Sequence, residues 1–282
     1  MNTALLLAAL LAGQAPAAAP APASASDAPV PAKTAEAEAI EGFKKAAAAY
    51  DIRLADAANS PVRLLPQPLL HWSNPARTNE DGAVFLWLKD GRPEVIGSIF
   101  TYKLTEVRTK HEFQSLATVP LSARYGDALA WQAPTAGVTF RPVPGAAAPA
   151  ETARLRGTQL KSLAREFSAQ LVNERDEATV LRLLPQPLYR YERETKAVLD
   201  GAIFSFALGT DPEAILLLEA RPGAEGEPAA WEYAFARFHF DGVTAKHRDQ
   251  DVFRVERDGS QMSTRLGDPA SRDKIYVTYH VD

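Results

Sequence analysis

The spacing of apolar residues predicts two helices. Ile40, Phe43, Ala47, Tyr50 and Leu54 recur at helical intervals, with Glu36, Glu38 and Glu41 near the start, where the helix dipole favours negative charge. Leu160, Leu163, Ala164, Phe167 and Leu171 repeat that spacing, with Lys161, Arg165 and Glu166 on the polar side. After each helix the pattern becomes that of strands. In the second half, 180–184, 202–208 and 214–220 are apolar runs, and Asp200-Gly201 and Gly209-Thr210-Asp211-Pro212 read as turns between them. In the first half, 84–88 and 95–102 hold the same places, with turns at Asp81-Gly82 and Asp90-Gly91. A further strand is expected at 231–240, where Trp231, Tyr233 and Phe235 alternate before the phase shifts to Phe238 and Phe240. A β-bulge near Ala236 or Arg237 accounts for that shift. Its counterpart is 111–119, shorter strands are expected at 129–131 and 252–255, and Ile275, Val277, Tyr279 and Val281 face one way at the end of the chain. Short turns between neighbouring strands imply antiparallel pairing.

Arg-Leu-Leu-Pro-Gln-Pro-Leu occupies 63–69 and returns unchanged at 182–188, an offset of 119 (182 minus 63). At that offset Asp81-Gly82-Ala83-Val84-Phe85 falls on Asp200-Gly201-Ala202-Ile203-Phe204, and Pro93-Glu94 on Pro212-Glu213, the mark of an internal repeat. Proline lacks the donor that a central strand needs, so each Pro-Gln-Pro belongs at a sheet edge or leaves the sheet. The expected fold is α+β: two duplicated units, each one amphipathic helix followed by an antiparallel β-meander of four to five strands, with the helix across one sheet face. The units are expected at 34–141 and 152–282, joined by a Pro/Ala linker at 142–151.

The heptad, with Gly209-Thr210-Asp211-Pro212-Glu213, Leu216-Leu217-Leu218-Glu219, and His111-Glu112-Phe113 followed by Pro120-Leu121, resembles the motifs of an uncharacterised family of exported bacterial proteins. The resemblance covers most of the chain after the Ala/Pro tether. It implies export and brings no activity, ligand or catalytic residue with it. By element order each unit also resembles cystatin-like and nuclear-transport-factor-like folds, in which a curved sheet wraps one helix.

The amino-terminal segment supports export. Residues 4–12 form an apolar run too short to span a bilayer, and Ala23-Ser24-Ala25 is a suitable cleavage site, although no Lys or Arg precedes the run. Residues 1–25 are therefore expected to be a signal peptide and 26–33 an Ala/Pro-rich tether. Composition narrows the classes further. With 46% hydrophobic and 23% charged residues the chain can bury a core, so it is not disordered as a whole. A net charge of −4 without a basic patch argues against nucleic acid, and no transmembrane segment is expected in the mature chain. Without cysteine there are no disulfides, thiolate metal sites or thiol nucleophiles.

Chemistry-bearing patterns are sparse. The nucleophile elbow, the phosphate loop, the dinucleotide fingerprint and the His-Glu-x-x-His zinc helix are all absent. His111-Glu112-Phe113-Gln114-Ser115 begins like the zinc helix but lacks its second histidine and lies in strand, so polar residues on an open sheet face are the simpler reading. His239, Asp241 and His247, with Asp249 and Asp251 nearby, could grip a divalent metal, against the plainer alternative of a solvated loop. Arg63 and Arg182 could each anchor an acidic ligand, or cover apolar surface with their stems and pair with a carboxylate. Trp72, Tyr189 and Tyr191 follow the Pro-Gln-Pro breaks and could stack on a sugar or a peptide proline, or fill the core under the helix.

The expected function is that of a non-catalytic binding or interaction protein of the cell envelope, periplasmic or extracellular, with an unknown ligand or envelope partner and no cofactor. The alternatives are a hydrolase using His239, Asp241 and His247, or an assembly module whose sheet edge recruits another strand. A polar cleft with converging titratable groups would favour the enzyme, and an apolar groove or long open edge would favour binding.

Overall fold

A computed structural model describes residues 32–281 apart from 57–58, 75–79, 104, 193–196 and 225; the expected signal peptide and residues 26–31 of the tether lie outside the described residues. The first half runs α1 (Ala32–Ala48), β1 (Tyr50–Leu54), β2 (Arg63–Leu64), β3 (Leu70–Asn74), β4 (Glu80–Lys89) and β5 (Arg92–Lys103). Then come β6 (Val107–Ser115), β7 (Leu121–Tyr125), β8 (Ala128–Ala133) and the two-residue β9 (Arg141–Pro142). The second half runs α2 (Ala153–Ala164), β10 (Phe167–Val172), β11 (Ala178–Val180), β12 (Arg182–Leu183), β13 (Tyr189–Glu192), β14 (Asp200–Leu208) and β15 (Asp211–Arg221). It ends with β16 (Ala230–Arg237), β17 (Gly242–His247), β18 (Gln250–Val255), two short 3-10 turns and β19 (Tyr276–His280).

Both helices stop sooner than the apolar spacing predicts. Tyr50, Leu54, Phe167 and Leu171 continue the helical rhythm but belong to β1 and β10, where a period of two buries them together with Ile52 and Ala169. α2 begins at Thr152, whose side chain accepts the Leu155 amide, and it buries Leu160, Leu163 and Ala164 against β14 and β15.

The long strands form antiparallel hairpins with left-handed residues at their tips, Asp90 and Gly91 (φ 49° and 81°) in the first and Gly209 (φ 65°) in the second. Asp81-Gly82 and Asp200-Gly201, expected as turns, lie inside β4 and β14 instead. There the missing side chain gives room to a ring, because a Cβ at Gly82 would strike Trp72 and one at Gly201 would strike Tyr191.

The expected α+β pair of duplicated units, each one amphipathic helix followed by an antiparallel meander of four to five strands, is overturned. The protein is mostly β, 50% strand and 14% helical, with two α-helices among the described residues and several antiparallel sheets. One large sheet has the order β19-β6-β5-β4-β2 with β3 also on β4, and the other β9-β16-β15-β14-β12 with β13 on β14. Smaller sheets, β1-β7-β8 and β11-β10-β17-β18, lie beside them. Each meander ends after three long strands, because β7 and β17 turn back to pair with β1 and β10. That leaves β6 and β16 open along one edge, and each edge is closed by a segment from the other half of the sequence, β19 on β6 and β9 on β16.

The two hairpins share a register at the offset of 119. Val84 lies opposite Ser98 as Ile203 lies opposite Leu217, Arg63 opposite Leu88 as Arg182 opposite Ala207, and the bulge after Trp87 recurs after Phe206. No bulge occurs in β16, where one was expected. Trp231, Tyr233 and Phe235 enter one core while Ala234, Ala236 and Phe238 enter another, so the strand is apolar on both faces and its phase does not shift. Three cores result. One lies under α1 around Phe85, Trp87, Phe113 and Trp131, a second under α2 around Phe204, Phe206 and Phe235. The third lies where the large sheets meet, with Trp72, Val84, Leu86 and Ile96 against Tyr191, Ile203, Ile215 and Leu217.

Replacing Phe204, which is 1% exposed, with Ala is expected to cost about 3–5 kcal/mol. Because the halves share strands, the loss should appear as a single urea transition, with the fluorescence of Trp72, Trp87, Trp131 and Trp231 shifting together with far-UV circular dichroism. Two separated transitions would show that the halves unfold independently.

Candidate functional site

The surface shared by the two large sheets is apolar at its centre and carries ionisable groups towards both ends. At one end Arg92 and Glu94 of β5 meet Glu219 and Arg221 of β15. Arg92 donates from Nε to Glu219 Oε1 (3.1 Å) and from Nη1 to Glu94 Oε1 (3.2 Å). Arg221 donates to Glu219 Oε2 from Nε (2.8 Å) and Nη2 (2.6 Å), and Tyr191 Oη donates to Glu219 Oε1 (2.8 Å). Both guanidinium groups stand over the Phe140 ring, with Cζ 5.6 and 4.2 Å from its centre. Glu219 is fully buried and three side chains share its oxygens, so its charge is compensated and this end is filled.

At the other end a cavity of about 260 Å³ opens between the halves. Trp72, Phe100, Tyr102, Phe238 and Phe240 supply aromatic walls; Glu80, Lys110, Glu112, Asp211, Glu213 and His239 supply ionisable groups. One wall is held by Arg237, at the end of β16. It donates from Nε to His239 O (2.8 Å), from Nη1 to Glu256 O (3.0 Å), and from Nη2 to Phe240 O and Asp241 O (both 2.6 Å), which fixes the path of 238–241. Its guanidinium also lies 5.0 Å from the centre of the Tyr276 ring. Tyr276 Oη in turn donates to Glu112 Oε1, and Lys110 Nζ donates to Met262 O (3.1 Å) while standing 5.5 Å from the centre of the Phe240 ring.

Burial governs the electrostatics. It raises the Glu112 carboxyl from its ordinary 4.5 to about 7, against the opposing pull of the Tyr276 hydrogen bond and of Lys110. Burial lowers Lys110, and it raises Tyr276 well above the ordinary phenol range, with Glu112 adding to the effect. At the filled end burial raises Glu94 to about 7 despite Arg92. Glu112 can therefore exchange a proton near neutral pH inside a space that also holds aromatic faces and an ammonium group.

The residues singled out in the sequence do not converge on one place. Trp72 is buried, donates from Nε1 to Ser98 Oγ (3.1 Å) and faces the cavity, whereas Tyr191 is buried at the filled end and Tyr189 stacks on it with ring centres 6.0 Å apart. Arg63 is exposed, and exposed Arg182 donates to the Gly209 carbonyl (2.8 Å). His239 lines the cavity and accepts the Asp241 amide on Nδ1 (3.0 Å), while His247 bonds to Glu166 (2.9 Å) against the Phe167 ring, outside the cavity lining. His239, Asp241 and His247 thus share no site, and no group of three or more His, Asp or Glu arranged to hold a metal ion occurs among the described residues. His111 and Glu112 are not on an open face. His111, which burial lowers to about 4, bonds to Tyr50 Oη (2.6 Å) in the core under α1, and Glu112 points to the opposite side of β6. A wider cleft of about 1000 Å³ beside β18 is lined by exposed Arg141, Asp176, Asp251 and Arg254, and Tyr233 is its one buried titratable lining residue.

No family model, curated protein or solved structure matches the chain. The candidate site rests on its own geometry. Pattern reading puts Glu112 on an open sheet face and passes over Glu213 and Lys110 as site residues. The available signal was Pro212-Glu213 opening an apolar run, matched by Pro93-Glu94, since a carboxylate among strand residues buried on both faces must find a partner, a proton or a ligand.

Glu112 also affects stability. Its neutral form is favoured in the fold, so its contribution is complete below about pH 4.5 and is lost as pH rises through about 7. The shift corresponds to on the order of 3 kcal/mol. In Glu112→Gln the drop in urea stability between pH 5 and pH 8 should shrink by on the order of 2–3 kcal/mol. An unchanged drop would mean that Glu112 does not hold a proton in the folded protein.

Proposed function

We propose that the protein is an exported binding protein that takes a small ligand in the cavity between its two halves. The cavity itself carries the reading, because aromatic walls with a few ionisable groups, set where two parts of a protein meet, are what a small-ligand site requires. The apolar run at 4–12 with Ala23-Ser24-Ala25 supports export to the periplasm or beyond. No helix among the described residues is long and apolar enough to cross a membrane. The common register of the two hairpins supports descent of both halves from one duplicated unit, with the site at their junction.

Thr278 of β19 lines the cavity, and a large ring there would occupy it. A panel of cationic, neutral and anionic fragments, followed by Trp72 fluorescence and thermal shift, is expected to yield binders that Thr278→Phe loses while remaining folded. If every binder survives that substitution, the cavity is not the site. Export is tested separately: the mature protein should begin at Ser26 in the extracytoplasmic fraction, and recovery of Met1 from the cytoplasm would sink that part.

A further inference from the structure

We infer that the ligand of this cavity is a cation, a guanidinium or primary amine on a short, largely apolar body; the inference rests on the binding reading above and names its ligand class. The comparison that carries it is between the two ends of the shared surface. β5 and β15 correspond at an offset of 119. β6 and β16 correspond at 122 (233 minus 111), because His111 lies opposite Ile99 as Tyr233 lies opposite Leu218. β19 and β9 follow, since Tyr279 faces His111 as Arg141 faces Tyr233. Asp211 and Glu213 at the cavity therefore stand where Arg92 and Glu94 stand at the filled end, Phe100 and Tyr102 where Glu219 and Arg221 stand, and Thr278 where Phe140 stands.

At the filled end the chain supplies its own occupants. Two guanidinium groups lie on an aromatic ring and donate to buried carboxylates. At the cavity both arginines are gone, replaced by Asp211 and Tyr102, and the Phe140 ring is reduced to Thr278. The carboxylate of Glu94 keeps its counterpart in Glu213, which is 0% exposed. The space is thus left by two guanidinium groups and a ring; of the two acids that faced them, Glu219 gives way to Phe100, while Glu94, the partner of Arg92, keeps its counterpart in Glu213.

Charge points the same way. Glu80, Glu112, Asp211 and Glu213 line the cavity against one ammonium group, Lys110, with His239 at the wall. Arg237 behind that wall gives its donors to four carbonyls. A cation would meet buried carboxylates within walls that include the rings of Trp72, Phe100 and Tyr102, a combination that offsets the loss of its hydration. An anion would meet repulsion from the same carboxylates. Glu112 is faced by Lys110 on its own strand, Glu80 from β4, Tyr276 from β19, and Arg237 from the other half. An added cation favours its ionised form, so binding should release a proton and tighten as pH rises from 6 to 8.

The test uses the full mature chain and three probes on a four-carbon chain, N-butylguanidinium as the cation, N-butylurea as its neutral analogue and pentanoate as the anion, titrated by calorimetry. Butylguanidinium should bind, with loss of binding in Thr278→Phe, at least about tenfold weakening in Glu213→Gln, and higher affinity at pH 8 than at pH 6. If Glu213→Gln does not fold, Asp211→Asn should show the weakening. Pentanoate or N-butylurea binding as tightly as butylguanidinium, and lost in Thr278→Phe, would overturn the cation inference and leave the cavity reading intact. Butylguanidinium binding unchanged in Thr278→Phe, or no binding of any probe, would overturn both.

Discussion

A strand edge inside a folded protein cannot be left bare, since each unpaired amide and carbonyl held away from water costs about as much as a lost hydrogen bond. β6 and β16 each present such an edge, because the strands after them turn back to β1 and β10. The chain closes both by exchange. β19, near the carboxyl end, pairs along β6 of the first half, and β9, from the middle of the sequence, pairs along β16 of the second. Neither large sheet is complete within its own half. That mutual dependence keeps the two sheets face to face and creates the third core, where Val84, Ile96, Ile203 and Ile215 are excluded from water.

The same exchange lays out the chemistry. β19 brings Thr278 to the cavity and Tyr276 to the Glu112 carboxyl behind it, and the residue before β9, Phe140, becomes the platform for Arg92 and Arg221 at the opposite end. The two ends thus receive opposite treatment. Glu219 accepts hydrogen bonds from three side chains, whereas Glu112 sits beside a tyrosine hydroxyl and is held towards its protonated form by burial. One end has become structural, and the other keeps a polarised space lined by rings.

Local pattern recorded much of this fold. The repeated heptad, the long strands and the tips at Asp90-Gly91 and Gly209 are legible because each depends on a few neighbouring residues and on backbone geometry. Errors arise where one residue type serves two physical ends. Gly82 and Gly201 make room for rings and do not turn the chain, and Tyr50 and Phe167 satisfy a helical and a strand rhythm at once. Trp72 was legible as either core or contact residue, and its position at a cavity wall combines the two.

The sequence by itself determined that the long apolar runs must leave water, that the chain turns at Asp90-Gly91 and Gly209, and that 63–102 and 182–221 would take the same local form. Tertiary structure alone decided against what they pack. Two-residue β9 and five-residue β19 carry no local sign of their partners, because an antiparallel edge accepts any strand of compatible register. Glu112 and Glu213 acquire their meaning only when the two sheets close on them. Burial against the other half, which no spacing along the chain encodes, turns ordinary strand carboxylates into the wall of a cavity.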